Sequence, residues 1–568
     1  MHDGFTGAPG AERLAAEIYL RALKAAGVDA FYGVAGTDFP SIVEAFAGEV
    51  AGEAAGDMPE PVLVPHENLA ASMAHGHAMI TGKAQAVMVH VSVGTANIIC
   101  GAMNAWRDRV PMLLSAGRTP VTENGPPGTR SRYIHWAQEM FDQGAMLREA
   151  VKWDYELRHP DQVADVARRA VEIAHAAPAG PVYLSLPREH LAARSAAAVG
   201  VPCVTSRPAP EPAAVDRLAE MIRRAESPVI VTSYFGQEPG AVPLLEALAE
   251  AWALPVVGMS ARRAFLPPSH PMHMGFAPDA LLREADLILC LDCEVPWIPA
   301  VASPPAGVPM VQLGIDPLAA EYPLRGFAAE LSVIADSGLA LAALGVALGA
   351  PSGAAVQRVE ARRARLAERR RRDRERWAAE GARDELTPQT LSAALRAAIP
   401  EDAIVCNEYP LRMEQFLPGA PGTFFGLSPA GGLGWGLGAA LGAKKAAPER
   451  MAVAVLGDGA YMFNNPTACH FVSEASKLPV LSVIFNNRCW GAVRNSTLAL
   501  HGQGAAAAGN GMMLADLNPA PKYEKIVEAH DGLGLRAETL EEAKAAIDRG
   551  LEAVAGGRQA VVNVLCDY

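Results

Sequence analysis

Two short stretches in the last third of the chain carry residue types that bind a divalent metal. Gly457-Asp458-Gly459 follows the apolar run Ala-Val-Ala-Val-Leu, and Asn486-Asn487 follows Val-Leu-Ser-Val-Ile-Phe. Each sits where a buried strand should end, and open parallel sheets bind ligands at their carboxyl edges. A carboxylate and an amide oxygen from adjacent strand ends make a hard oxygen site. Magnesium takes such oxygens and completes its octahedron with ligand phosphates. The glycines let the backbone come close to those phosphates. Upstream, Val62-Leu63-Val64-Pro65-His66-Glu67 is a strand that ends in an acid, followed by helix-like Asn-Leu-Ala-Ala-Ser-Met. Glu67 by itself reads as a helix N-cap acid or as a proton-transfer group, because a carboxyl in an apolar cleft holds its proton more tightly. His90 closes another apolar run, Ala86–Val89. An imidazole there could exchange a proton near neutral pH, or simply pack. Ala430-Gly431-Gly432-Leu433-Gly434-Trp435-Gly436 is rich in glycine but reads GxGxG, not GxGxxG, and no acid follows at dinucleotide spacing.

Taken together, these stretches resemble the thiamine-diphosphate-dependent enzymes of the acetolactate synthase and benzoylformate decarboxylase group. The GDG and NN pair resembles the family's cofactor signature. By that resemblance Asp458, Asn487 and the Cys489 carbonyl hold Mg2+. Gly457, Gly459, Ala460, Trp490 and Gly491 line the diphosphate. Asp458 and Asn487 stand 29 positions apart, about two more than in the group, which places a small insertion around Asn464–Pro466. The His66-Glu67 segment resembles the family's HE stretch, whose acid hydrogen-bonds N1′ of the aminopyrimidine. Ala430–Gly436 resembles the segment that offers the carbonyl of its first glycine, here Gly431, to the 4′-amino group. There a large apolar residue, here Leu433, props the cofactor in its bent shape, a proximity effect. Val89–Asn97, with Asn104-Ala105-Trp106 and Pro111–Gly117, is similar to benzoylformate decarboxylase, which carries a catalytic His where His90 stands. Thr37 stands where that enzyme has a substrate-binding Ser. Where its second active-site His would fall, this chain reads Val295-Pro296-Trp297-Ile298-Pro299, so Trp297 takes the substrate position.

The resemblance implies cleavage or formation of a carbon–carbon bond next to a carbonyl, with 2-oxo-acid decarboxylation and carboligation foremost. Lyase cleavage of a 2-hydroxy ketone or hydrolysis of a diketone is a second outcome. A catalytically inactive scaffold is a third, which an intact Glu67 and metal set argue against. FAD, as in acetolactate synthases, is left open. Relatives in the group place the counterpart of Glu67 from one subunit against those of Asp458 and Leu433 from another, which implies a homodimer or homotetramer.

The elements that must position these residues are legible as short apolar runs. Ala86–Val89, Pro111–Gly117, Pro181–Leu186, Val229–Ser233, Leu254–Met259, Asp286–Asp292, Met310–Asp316, Ala403–Glu408, Met451–Gly457, Leu478–Asn486 and Ala560–Cys566 are continuous rather than alternating. Such strands are covered on both faces, hence parallel sheets with crossover helices. The fold class is therefore α/β, with three domains, each a mainly parallel sheet flanked by helices. They are a pyrimidine-binding domain at 1–195, a central domain at 205–350 and a diphosphate-binding domain at 385–568. A charged segment, 351–384, reads as a solvated helical linker rather than a nucleic-acid patch, because acids intersperse its arginines. The net charge of −13 over 568 residues argues against nucleic acid or an anionic membrane as partner and leaves a small molecule. Eight scattered cysteines, with a lone Cys290/Cys293 CxxC, read as core thiols rather than zinc ligands. The N-terminal MHDGFTGAPG has no basic and apolar signal pattern, and the default expectation is a cytoplasmic protein.

Overall fold

A computed structural model describes residues 12–51, 56–203, 205–509 and 511–566. The N-terminal segment read above for a signal lies outside them, apart from its flank. The chain forms two compact units. The first holds Met1–Thr205, Leu427–Leu535 and Gly550–Asn563; the second holds Ser206–Gly426, Arg536–Arg549 and Val564–Tyr568.

In the first unit, six strands form one parallel sheet. They are β1 (Ala30–Gly33), β2 (Glu60–Leu63), β3 (Gln85–Val89), β4 (Met112–Arg118), β5 (Asp154–Glu156) and β6 (Pro181–Pro187). Their order is β2-β1-β3-β4-β6-β5. β3, β4 and β6 are buried throughout, as continuous apolar runs require when helices cover both faces. Helix α1 (Glu67–Thr81) follows β2, and α2 (Val91–Arg107) follows β3. His66 starts α1, its Nδ1 accepting the Asn68 N–H at 3.2 Å, and Gly82 ends it in the left-handed conformation.

The second unit carries β7 (Pro228–Thr232), β8 (Val256–Gly258), β9 (Leu287–Leu291), β10 (Met310–Gly314) and β11 (Leu331–Ile334), in the order β8-β7-β9-β10-β11 and all parallel. Helix α3 (Pro212–Arg224) precedes this sheet, and α4 (Val242–Trp252) follows β7. β12 (Ile404–Glu408) pairs in parallel with β13 (Phe424–Gly426). Back in the first unit, β14 (Ala452–Gly457) and β15 (Leu481–Asn486) pair in parallel.

The charged segment is helical from Ala354 to Gly381, named α5 here, but it is not solvated all round. Ala355, Val359, Arg362 and Leu366 form a buried stripe at helical spacing. Arg362 is only 2% exposed. Its Nε donates to the Ala253 carbonyl at 2.9 Å, its Nη1 to Ala225 at 3.0 Å and its Nη2 to Trp252 at 2.5 Å. Those carbonyls lie at the carboxyl ends of α3 and α4, where helices leave unsatisfied oxygens and negative partial charge. Arg358 adds the Arg223 carbonyl, and Arg370 and Arg374 add that of Pro268. The arginines that looked like a charge run thus cap the central domain. The expectation of a solvated linker is corrected on this face; the opposite face carries exposed pairs such as Arg371 with Glu368 and Glu375.

Six cysteines are buried, among them Cys290 and Cys293, whose thiols burial pushes up, to about 12 at Cys293. Cys203 is exposed and Cys100 partly so, which departs from a uniform core role. Among the described residues no helix is long and apolar enough to cross a membrane.

Arg362→Met removes the shared cap while keeping the side-chain volume. It is expected to destabilise the second unit by about 3 kcal/mol, the scale for losing several buried charged hydrogen bonds. Urea unfolding followed by tryptophan fluorescence reads this. Arg371→Met, on the exposed face, is the comparison and should leave the midpoint where it is.

Candidate active site

The carboxyl edge of the first sheet collects the predicted residues from neighbouring strands. Glu67 follows β2, Thr37 and Asp38 follow β1, and His90 follows β3 directly. Glu67 is partly exposed, and the Asn97 amide on α2 donates to its Oε2 at 3.2 Å. His90 is held more tightly. Its Nδ1 lies 2.5 Å from Asp38 Oδ1, and the Val91 N–H donates to Asp38 Oδ2 at 3.3 Å. Asp38 is 3% exposed. A Cβ on Gly36 would stand 2.2 Å from His90 Nδ1, and one on Gly117 would stand 1.9 Å from Asp38 Oδ2. Only glycine at both positions lets the pair lie against the backbone. Val91 has φ +33°, a conformation that a β-branched residue adopts only under constraint. The hydrogen bond to Asp38 raises the His90 pKa above its ordinary value, against the opposing effect of burial. With Nδ1 committed to Asp38, Nε2 is the nitrogen left for a ligand. Gln138 stands 3.4 Å from it.

Asp38 was missed in the sequence. Its neighbour Thr37 was singled out, but nothing local says that the acid after it reaches a histidine 52 positions on. The available signal was the glycine pair, Gly36 and Gly117, at two strand ends. Thr37 lines a narrow cleft with Asp38, Val91 and Gln138. Trp297 belongs to the second unit, where its ring meets Phe327 edge-on at 5.0 Å.

The glycine-rich segment is fixed by α1 and α2. Asn104 Nδ2 donates to the Gly432 carbonyl at 2.8 Å, and the Gly432 N–H donates back to Asn104 Oδ1 at 3.1 Å. Asn68 Nδ2 donates to the Gly434 carbonyl at 3.1 Å, and Ser72 Oγ does so at 3.3 Å. Gly431 and Gly434 have φ +68° and +91°, so the loop carrying Leu433 turns as only glycine permits. The start of α1, at Asn68, meets this loop within one chain.

At the end of β14, Asp458 is 3% exposed. Its Oδ1 accepts the Gly459 N–H at 2.8 Å, while its Oδ2 is buried with no hydrogen-bond partner. Burial pushes this carboxyl up to about 6, opposed by backbone N–H groups including Gly459, Arg488 and Cys489. A buried carboxylate oxygen without a donor is a place for a cation. At the end of β15 the two asparagines divide their work. Asn486 is buried, donating to Asn563 Oδ1 at 3.0 Å and accepting from the Arg488 N–H. Asn487 is less buried and accepts the Cys489 N–H at 3.1 Å. Around Cys489, Leu517 N–H bonds the Arg488 carbonyl and Trp490 N–H bonds the Ala515 carbonyl, and neither uses the Cys489 carbonyl. A Cβ on Gly459 would strike the Trp490 ring at 2.1 Å, so the GDG turn lies flat on that indole. Ala460 is buried beside it, and Gly491 opens the helix that follows Trp490. Between these strands the helical path breaks at Asn464–Asn465 and restarts at Pro466, where the insertion was placed. No trio of His, Cys, Asp or Glu side chains forms a metal cluster among the described residues. An oxygen set of one carboxylate, one amide and one carbonyl is of a different kind and fits magnesium better.

Three family models match the chain. They are the thiamine pyrophosphate enzyme N-terminal TPP binding domain over residues 13–146, the central domain over 215–344 and the C-terminal TPP binding domain over 408–564. Benzoylformate decarboxylase of Pseudomonas aeruginosa is 29% identical over 77% of this chain and 81% of its own length. Sulfoacetaldehyde acetyltransferase of Rhodobacter capsulatus is 28% identical over 97% of this chain and 93% of its own. Among solved structures, the thiamine diphosphate-dependent 4-hydroxybenzoylformate decarboxylase of Rhodococcus jostii RHA1 has the same fold. Its TM-score is 0.77 at 22% identity, covering 98% of this chain and 99% of that one.

Two outcomes follow from the site geometry. Asp458→Ala should weaken Mg2+-dependent retention of thiamine diphosphate by at least about 100-fold, since even supporting groups at metal sites cost up to that much. Circular dichroism should show the fold intact, and unchanged cofactor affinity would remove Asp458 from the metal site. The His90–Asp38 pair should also titrate visibly. A histidine whose folded pKa is raised adds stability that is fully present below about pH 6.5 and is lost as pH rises through the raised value. The His90 ring-proton NMR titration should therefore have its midpoint above about 6.5. That midpoint should drop in Asp38→Asn; if it stays in place, the pair does not control the imidazole.

Proposed function

Because the chain belongs to the thiamine pyrophosphate enzyme family, in the group that includes benzoylformate decarboxylases and acetolactate synthases, we propose that it decarboxylates a 2-oxo acid and passes the product carbon to a proton or to a second carbonyl. The bond between carbonyl carbon and carboxylate breaks, carbon dioxide leaves, and a proton or an acceptor carbon takes its place. The observation that carries this reading is the His90–Asp38 pair on the same sheet edge as Glu67, which supplies a proton-transfer group beside the acid.

The chain's residues fit the family's cofactor on the orphaned Asp458 oxygen and the flat GDG turn. In this reading Asp458, Asn487 and the Cys489 carbonyl hold Mg2+, with Gly457, Gly459, Ala460, Trp490 and Gly491 along the diphosphate. The Gly431 carbonyl and Leu433 hold the pyrimidine end, and Glu67 hydrogen-bonds its ring nitrogen. When bound, thiamine diphosphate supplies a nucleophilic carbon and an electron sink. Glu67 shares a proton with the ring nitrogen, so its role needs an ionisable group. His90 Nε2 gives or takes the proton at the oxygen derived from the substrate carbonyl. Asp38 fixes which nitrogen does so and stabilises the imidazolium that results. Thr37 lines the same cleft and contacts substrate. The working assembly is a homodimer or homotetramer; large exposed apolar side chains such as Tyr133, Trp136 and Phe141 support a covered surface.

A panel of 2-oxo acids, each with and without an aldehyde acceptor, tests the reading by product analysis. Carbon dioxide release from at least one of them is expected, and a cofactor-loaded enzyme that cleaves none would end it. Within the panel, Glu67→Gln should keep the cofactor but lower kcat by about 10²–10⁴-fold, the range for general acid–base groups. His90→Ala should slow the best substrate by at least about tenfold with cofactor affinity little changed. A His90→Ala enzyme that keeps both its rate and its neutral pH limb would assign the proton to another group.

A further inference from the structure

The cleft lined by Thr37, Asp38, Val91 and Gln138 also holds Arg118, Thr119, His135 and Arg188. The proton-transfer reading uses neither arginine. Arg118 is the last residue of β4, and Arg188 follows β6 directly. The strand order β1-β3-β4-β6 therefore lays Asp38, His90, Arg118 and Arg188 along one edge in sequence. Neighbouring strands are about 4.8 Å apart. Arg118 thus sits about 5 Å along the edge from His90, and Arg188 about 10 Å.

Both guanidinium groups are only partly used. Arg118 is 9% exposed; its Nη2 donates to Glu139 Oε1 at 2.6 Å and its Nε lies 3.0 Å from Glu156 Oε2. Its Nη1 is buried with no hydrogen-bond partner, and so is Nη1 of Arg188. The acids nearby are engaged in part. Glu139 also pairs with Arg130, and Glu189 accepts from the Thr122 hydroxyl and N–H through Oε1, while its Oε2 is buried without a hydrogen-bond partner. Buried donors without acceptors are costly unless a ligand supplies the acceptor, and guanidinium pairs favour carboxylate and other oxyanions. Burial, with the positive field of Arg188, Arg132 and Arg130, lowers the pKa of His135 in the same cleft.

We propose that Arg118 and Arg188 form an anion subsite, so that the preferred substrate carries a second oxyanion, a carboxylate or sulfonate, a few bonds from its reacting carbonyl. This rests on the reading of His90 as the group beside that carbonyl. The two free N–H groups would bind the distal oxyanion while His90 serves the reacting end. A purely apolar or aromatic substituent would leave both donors buried and unsatisfied, and the cleft would select against it.

The test uses the enzyme loaded with thiamine diphosphate and Mg2+ and two matched pairs of probes. For turnover, 2-oxoglutarate is compared with 2-oxopentanoate. For binding without reaction, glutarate and 3-sulfopropanoate are compared with pentanoate by titration calorimetry. The wild-type enzyme should favour the member with the second oxyanion by at least about tenfold in each pair. Arg188→Gln should reduce that preference at least about tenfold, chiefly through KM, and Arg188→Lys should restore part of it. Arg118→Gln should act in the same direction, but it strips Glu139 of a partner, so Arg188 carries the decision. If glutarate and pentanoate bind alike, or if Arg188→Gln leaves their ratio unchanged, the subsite is refuted. If neither 2-oxo acid is cleaved yet glutarate binds through Arg188, the subsite stands, and the decarboxylase reading fails only if the whole 2-oxo-acid panel also goes uncleaved. A carboxylate preferred over a sulfonate, or the reverse, identifies which oxyanion the cleft is shaped for.

Discussion

Everything in the first unit hangs on how closely α1 and the helix Gly436–Ala446 cross. A Cβ on Gly76 would stand 2.0 Å from the Ala439 carbonyl oxygen, and one on Gly442 would stand 1.9 Å from that of Met73. A Cβ on Gly438 would meet the Ser72 side chain at 2.6 Å. No side chain larger than hydrogen fits at these points, so backbone lies on backbone. Close contact fixes translation and rotation together, because ridges of small residues leave little freedom to slide. The start of α1, which carries Glu67, is thereby carried to the Gly431–Gly434 loop, and Asn68 and Ser72 bond that loop as a consequence. Two segments far apart in sequence are registered against each other by three glycines, and the spacing of the proposed cofactor-binding groups follows from that contact.

With this frame fixed, the chemistry divides by strand edge. One edge, after β14 and β15, carries groups suited to the proposed cation site: a half-satisfied carboxylate and an amide, with the carbonyl of Cys489 outside its local ladder. The other, after β1, β2 and β3, carries the groups proposed to exchange protons. The strain at Val91 belongs to this second edge. It persists because Asp38 bonds both the Val91 N–H and His90 Nδ1, so one buried carboxylate holds the backbone turn and the imidazole orientation at once. Relaxing Val91 would move the histidine.

Much of this was legible in the sequence, and the reason is local. Gly457-Asp458-Gly459 and Asn486-Asn487 each sit directly after an apolar run, so strand and site residue are read together. The continuous runs, such as Pro181–Leu186, gave parallel strands to within three residues of those observed. What was not legible depends on partners distant in sequence. Asp38 is an acid in a loop until the fold brings His90 to it. Arg362 sits in a run of arginines that looks uniformly exposed, and only the ends of α3 and α4 single it out. β5 and β13, three residues each, are too short for any periodicity to declare them.

The same dependence explains why family resemblance reaches the cofactor sooner than the substrate. Cofactor groups are held at strand ends by contiguous motifs, so a chain that keeps the motif keeps the site. Substrate groups are gathered from several strands, one residue from each. In this chain the proposed ones are Thr37 and Asp38 after β1, His90 after β3, Arg118 at the end of β4 and Arg188 after β6. Any one can change without disturbing a motif, and a change in β4 or β6 alters what lies beyond the reacting carbonyl while leaving the proton-transfer pair intact. Relatives that act on quite different molecules can therefore share the metal set and the acid and differ along this edge. On the proposed reading, the identity of the substrate is written in the strand-end residues beyond the proton-transfer pair, where Arg118 and Arg188 stand.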